Sequence, residues 1–180
     1  MSERFSENET VVELGDYLGM CKELAQNADI QHLDEDTLKN EVLNKVSDNA
    51  QVKLPPDYIK KEADAMLKDI ERKMRFQGQN LYELIEQEYE SIHEFKVQLE
   101  EQAENRLKKE KVLKQIAHLE GLEVTTKELE GQIEGIAQNT DMTYEAAREK
   151  LEMQGAIEQL EEKLLLDKAL AHLTDRVKND

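Results

Sequence analysis

Ser91 to Gly121 reads SIHEFKVQLEEQAENRLKKEKVLKQIAHLEG, and the spacing of its apolar residues decides the fold. Phe95, Leu99, Ala103 and Leu107 fall four apart, and Leu113, Ile116 and Ala117 continue the series. That interval places side chains on one side of an α-helix and excludes a strand, in which alternate residues would share a face. Gly121 supplies the stop, because glycine readily takes the left-handed conformation that closes a last turn. A helix of this length is well beyond the usual run of about three to four turns, so it belongs to a protrusion or a coiled coil.

The neighbouring segments extend the same pattern. Pro55-Pro56 cannot continue a helix but can open one, and Ile59, Ala63, Met66, Ile70 and Met74 then form a stripe running to Gly78. Asn80 to Tyr89 is predicted as a short helix carrying Leu81, Leu84 and Ile85. Further upstream, Asp34 or Asp36 caps a helix with Leu38, Val42 and Val46 on one face, closed by Asn49. Downstream, Thr125 and Glu128 have the spacing of a capping box, in which each side chain bonds the other residue's backbone N–H. Leu129, Ile133, Ile136 and Ala137 follow it. Asp141 or Thr143 caps a helix with Tyr144, Ala147 and Leu151, and a last helix runs from about Ala156 to Val177.

The breaks at Pro55-Pro56, Gly78, Gly121, Gly131, Gly135 and Gly155 interrupt the heptads a sustained coiled coil would need, which favours helical hairpins packed as arms. The expectation is an all-α, elongated multi-helix domain over residues 34–180. Residues 1–33 are expected to be an extended, linker-like segment. Its first nine residues are polar and should fray, and Val11 to Tyr17 has a short β-like character.

Charge narrows the function. The chain of 180 residues carries a net charge of −17, with only 4% aromatic residues and no Trp. Nucleic acid is not expected as a partner, because its binding depends on Lys and Arg releasing counterions from phosphates. Runs such as Lys108-Lys109 are flanked by Glu104 and Glu110 and read as a solvated helix face. No apolar run approaches a membrane span, no signal peptide is visible, and the single Cys21 cannot form an internal disulfide, so the cytoplasm is expected.

No catalytic or cofactor chemistry is legible. His32, His93, His118 and His172 are far apart and lack metal-ligand spacing, and His118 and His172 near predicted helix ends suit the helix dipole. Gly15 and Gly19 lack the strand–turn–helix setting and the Lys-Ser of a phosphate cradle. With 41 Asp and Glu, coincidental carboxylate pairs are everywhere and mark nothing. No enzyme activity, cofactor or metal is expected.

Several segments, in order, carry a family resemblance. Lys53-Leu54-Pro55-Pro56-Asp57-Tyr58-Ile59-Lys60-Lys61-Glu62 is one, and Leu99 to Leu107 followed by Val112 to Thr125 is another. Glu128 to Ala137 and Leu164-Leu165-Leu166-Asp167-Lys168-Ala169-Leu170-Ala171-His172-Leu173 complete the series. Together they resemble the C-terminal, substrate-binding domain of bacterial trigger factor, over about Thr37 to Val177. Val12-Glu13-Leu14-Gly15-Asp16-Tyr17-Leu18-Gly19 is similar to the linker that precedes the prolyl isomerase domain in that family. SurA-type chaperones share this kind of helical domain and are more distant.

The resemblance implies an ATP-independent holding chaperone, whose helical arms enclose a cradle for unfolded or nascent polypeptides. Ribosome docking is not expected, since the docking loop has no counterpart in this sequence. Prolyl isomerase activity is not expected either, since the segment between Gly19 and Asp34 is too short for that domain. Self-association is left open. Flexible or exposed apolar side chains would form the client surface, and the candidates are Met66, Met74, Met142 and Met153 with Phe76, Tyr82 and Tyr144 near predicted helix ends. The composition is equally compatible with a non-catalytic helical adaptor that binds one dedicated partner.

Overall fold

The computed structural model describes residues 11–27 and 30–179. In chain order, strand β1 (Val11–Glu13) precedes helix α1 (Tyr17–Ala25), a 3-10 turn (Ile30–His32), helix α2 (Glu35–Asn49) and strand β2 (Gln51–Lys53). Six helices follow: α3 (Pro56–Phe76), α4 (Leu81–Glu88), α5 (Ile92–Leu119), α6 (Thr126–Asn139), α7 (Tyr144–Met153) and α8 (Ile157–Asn179). The all-α expectation holds, and no described helix is long and apolar enough to cross a membrane.

The helix boundaries follow from the capping residues. Asp34 accepts the backbone N–H of Thr37 at 3.0 Å and so caps α2. Pro56 is the first residue of α3, where its missing N–H costs nothing. The Asn80 side chain accepts from the Tyr82 N–H at the start of α4. The Thr125–Glu128 capping box of α6 is fully formed, and Thr143 rather than Asp141 caps α7. Asp141 instead has a φ of 52°, the left-handed residue that turns the chain after α6.

The chain divides into two units. Of the described residues, those up to Gly15 and those of Ser47–Val112 form unit 1, while those between Asp16 and Val46 and those from Leu113 onward form unit 2; α2 and α5 contribute to both. In unit 1, Ala63 of α3, Ile85 of α4 and Phe95, Leu99 and Ala103 of α5 make one buried cluster, flanked by Ile59, Met66, Leu67, Ile70, Leu81 and Tyr89. Tyr89 meets Phe95 edge-on, with ring centroids 5.0 Å apart. In unit 2, α6 packs against α7 and α8. Ile133, Ala137 and Ala147 are buried there beneath Leu129, Tyr144, Leu151, Ile157 and Leu160.

The described part of the N-terminal segment, residues 11–27 and 30–33, is not uniformly extended. Val11–Glu13 is a strand, and it pairs antiparallel with Gln51–Lys53, with Val12 opposite Val52. From Tyr17 the chain is helical, and α1 packs on α8 through buried Tyr17, Cys21 and Leu24. The spacing of these three residues is itself helical, but the helix is short and contains Gly19, so its propensity is low and packing decides the outcome. The fraying expected of the first nine residues lies outside the described residues.

Candidate functional site

The seven residues singled out as client contacts fall into different environments. Met74 is only 8% exposed and belongs to the interior of unit 1, so it cannot offer a surface. Met66 packs half-buried against the Phe95–Leu99 cluster, and Tyr144 does the same over Ile133 and Ala147, where its hydroxyl accepts a hydrogen bond from Arg148. These three act mainly as packing. The other four are open: Phe76 is 93% exposed, Met153 82%, Tyr82 65% and Met142 38%.

The open residues sit where the helix geometry puts them. Phe76 is the last residue of α3 and Tyr82 lies in the first turn of α4, so both border the Gly78 turn in unit 1. Gly78 has a φ of +71°, which lets the chain reverse immediately after Phe76 and leaves that ring with no element to pack on. In unit 2, Met142 precedes α7 and Met153 ends it, one at each end of the helix. The candidates therefore form dispersed points on two units. Leu18, Tyr58, Ile92, Val97 and Leu119 are also exposed, outside the set that the sequence singles out.

Unit 2 contains two polar clamps that join residues far apart in sequence. The Tyr17 hydroxyl donates to Glu120 Oε1 at 2.7 Å, and Arg176 donates to Glu120 Oε2 at 2.9 Å. His172 Nε2 lies 3.1 Å from the same oxygen and also accepts from Arg176 Nε at 3.1 Å. Burial, with the Glu120 hydrogen bond second, pushes the Tyr17 phenol up to about 12. The Tyr17 hydrogen bond, helped by Arg176, holds Glu120 below the usual carboxylate range. His172 thus belongs to this cluster on the side of α8, which its expected placement near a helix end did not indicate.

The second clamp centres on Lys168. Its ammonium donates to Glu128 Oε1 at 2.7 Å and to the Glu123 carbonyl at 2.8 Å, fixing the turn between α5 and α6 onto α8. Glu128 is held down at about 2, first by Lys168 and then by the Thr125 backbone and hydroxyl. Beside this tie lies a concave surface of about 550 Å³. Half-buried Leu122, Val124 and Leu165 line it with Glu123, Glu158 and Glu161, and Lys114 and Glu162 form an ion pair at its edge. No group of His, Cys, Asp and Glu that could hold a metal occurs among the described residues.

The motif at the start of unit 2 follows from the same contacts. Gly15 takes a φ of +62° to turn the chain out of β1, and Asp16 caps α1 by accepting the Gly19 N–H at 2.9 Å. A Cβ at position 19 would come within 2.3 Å of the Asp16 carboxylate, so glycine leaves room for the cap. Tyr17 completes the motif through Glu120.

The model of the bacterial trigger factor C-terminus matches residues 22–175 of this sequence. This chain belongs to the trigger factor C-terminal family. Trigger factor from Natranaerobius thermophilus is 33% identical over 139 residues, covering 76% of this chain and 30% of that protein. Trigger factor from Bacillus subtilis is 30% identical over 138 residues, covering 77% of this chain and 32% of its own length. The chain therefore spans about a third of the length of these trigger factors. Among solved structures, domains of trigger factor from Thermotoga maritima superpose with a TM-score of 0.64 at 19% identity, covering 88% of this chain and 93% of that one. A structure of the trigger factor chaperone studied for promiscuous substrate recognition gives 0.59 at 22% identity, covering 80% of this chain and 35% of that one. At these identities the structural likeness is one of fold.

Proposed function

We propose that this chain is an ATP-independent holding chaperone that shields unfolded or nascent polypeptides in the cytoplasm, without catalysis. The observation that carries this reading is the exposure of Phe76, Tyr82, Met142 and Met153 at helix ends, on a helical scaffold whose family is trigger factor. A large side chain left in water forgoes about 1.5–3 kcal/mol of burial, and dispersed single side chains bind weakly and release quickly. Methionine and aromatic rings also adapt to varied partners. The related chaperone of known structure is described by promiscuous substrate recognition in folding and assembly, which is the behaviour proposed for this chain. A net charge of −17 keeps such a surface soluble while it holds sticky segments.

Light scattering of two unrelated denatured enzymes, diluted into buffer with and without this protein, tests the proposal. Suppression of both aggregations, unchanged by ATP, is expected. Suppression of neither, or of one alone, contradicts promiscuous holding and fits an adaptor with a single partner.

A further inference from the structure

We propose that the outer face of α3 pairs, antiparallel and about a two-fold axis, with the same face of a second copy of this chain. The pairing does not depend on the holding function. It is read from six exposed charges on α3: Asp57, Lys61, Asp64, Lys68, Glu71 and Arg75. Their intervals of four, three, four, three and four residues keep them on one side of the helix for about five turns, roughly 27 Å. The sign of the charge alternates at every step.

Alternation on a solvated helix usually serves pairs within that helix. Here it does not. Among the described residues none of the six takes part in an ion pair, whereas Lys39 with Glu35 and Arg148 with Glu152 do so at the same spacing. In an antiparallel pair of copies the stripe is its own complement. Asp57 faces Arg75 of the second copy, Lys61 faces its Glu71 and Asp64 faces its Lys68, and the two-fold axis repeats each contact. Parallel pairing would set every charge against its like, so the pattern selects the antiparallel arrangement.

The ends of the stripe strengthen the match. Asp57 borders a cleft whose opposite wall carries Glu100, Glu101 and Glu104 of α5, with Lys60 beside it. From Arg72 to Tyr82 the chain holds three cations and no carboxylate. The start of α3 is thus acidic and its end basic, and antiparallel pairing joins the two. Lys60 and Arg72 flank the stripe on opposite sides, so they do not face each other. The flank that carries Tyr58 and Phe76, 45% and 93% exposed, adds apolar contact. These rings lie about five turns apart on one line of the helix, so the pairing brings each copy's Phe76 beside the other's Tyr58. A contact of one helix per copy is small, and the dimer is therefore weak and transient. It covers Phe76, so the paired form withholds that ring from clients.

Sedimentation velocity of the whole chain tests the proposal. A reversible, concentration-dependent monomer–dimer equilibrium is expected at low salt, with dissociation favoured as salt approaches about 0.5 M. K68E sets carboxylates face to face at two symmetric contacts and should weaken the dimer about tenfold or more. D64K/K68E exchanges the two residues, re-forms both contacts and should return the dissociation constant to within about threefold of the wild type. K96E, on an exposed position of α5, makes the same change in net charge as K68E and should leave pairing within about twofold. K61E and K61E/E71K repeat the comparison at the neighbouring contact, with circular dichroism confirming unchanged helicity, so the test does not hang on the folding of one variant. A monomer at every concentration up to about 1 mM would remove the pairing. Equal weakening by K68E and K96E would show general charge repulsion, and folded exchange variants that fail to recover would show that the facing positions do not meet. Each of these results overturns the proposal.

Discussion

Unit 1 holds α3, α4 and the first part of α5 together mainly through apolar contact around Phe95 and Leu99, whereas unit 2 adds to its apolar packing polar bonds that converge on Glu120 and Glu128. The same composition, rich in charge and poor in aromatic residues, thus supports two ways of fixing long helices. Where the apolar stripe is strong, as along Phe95, Leu99 and Ala103, burial does most of the joining, with an Arg106–Glu62 ion pair at 3.0 Å beside it, and the end of the hairpin can leave Phe76 and Tyr82 exposed. Where short elements such as α1 and the α5–α6 turn must be held, burial of a few side chains is small. Directional bonds between Tyr17, Glu120, Arg176 and Lys168 then fix their place.

If this contrast is right, truncation in the apolar cluster has the largest effect. Phe95→Ala should cost about 3–5 kcal/mol, removing both the buried ring and its edge-on contact with Tyr89. Amide exchange should show the loss mainly in unit 1. A uniform loss across both units would mean that they share one core.

Breaking the first clamp comes next. Glu120→Ala leaves the Tyr17 hydroxyl and Arg176 without their shared acceptor and should cost about 1–3 kcal/mol. Tyr17→Phe should cost about 1 kcal/mol by the same reasoning, with α1 exchanging faster in both variants. In the wild type, one of the five tyrosines should ionise near 12 by ultraviolet titration, and that transition should be missing in Tyr17→Phe.

The smallest effect belongs to the second clamp and is read through pH. Glu128 has a folded pKa of about 2, below its ordinary 4.5, so its contribution is complete above the ordinary value and is lost as pH falls towards about 2. Lys168→Met should move the Glu128 carboxyl back up and flatten that part of the acid-stability curve. Carbon-detected titration of Glu128 would show this directly, and an unchanged pKa in the variant would mean that the capping box alone sets it.

Much of this fold is legible in the amino-acid sequence because its helix limits are local. Pro55-Pro56, Gly78, Thr125 with Glu128, and Gly121 act on the backbone within one turn, and the helices begin and end beside them. Strand β2 is hidden by its length, since Gln51–Lys53 carries too few residues to show an alternation. The clamps are not legible, because Tyr17 and Glu120, or Lys168 and Glu128, are joined only by the tertiary fold. The same limit separates Met74 from Phe76: the two are close in sequence on α3, yet one is buried and the other almost fully exposed. Helical spacing identifies a candidate face but not the partner that covers it. The groove beside Lys168 is not legible in the sequence for the related reason that its lining comes from α5, the following turn and α8.

The central claim is that the exposed side chains hold clients while the buried ones hold the fold. The direct measurement is aggregation suppression and thermal melting on the same samples of Phe76→Ser/Tyr82→Ser, Met142→Ser/Met153→Ser and, for contrast, Met74→Ser. Both exposed pairs should lose holding with melting nearly unchanged, while Met74→Ser should lower the melting temperature by several degrees. Full suppression of aggregation by both exposed pairs would contradict the account.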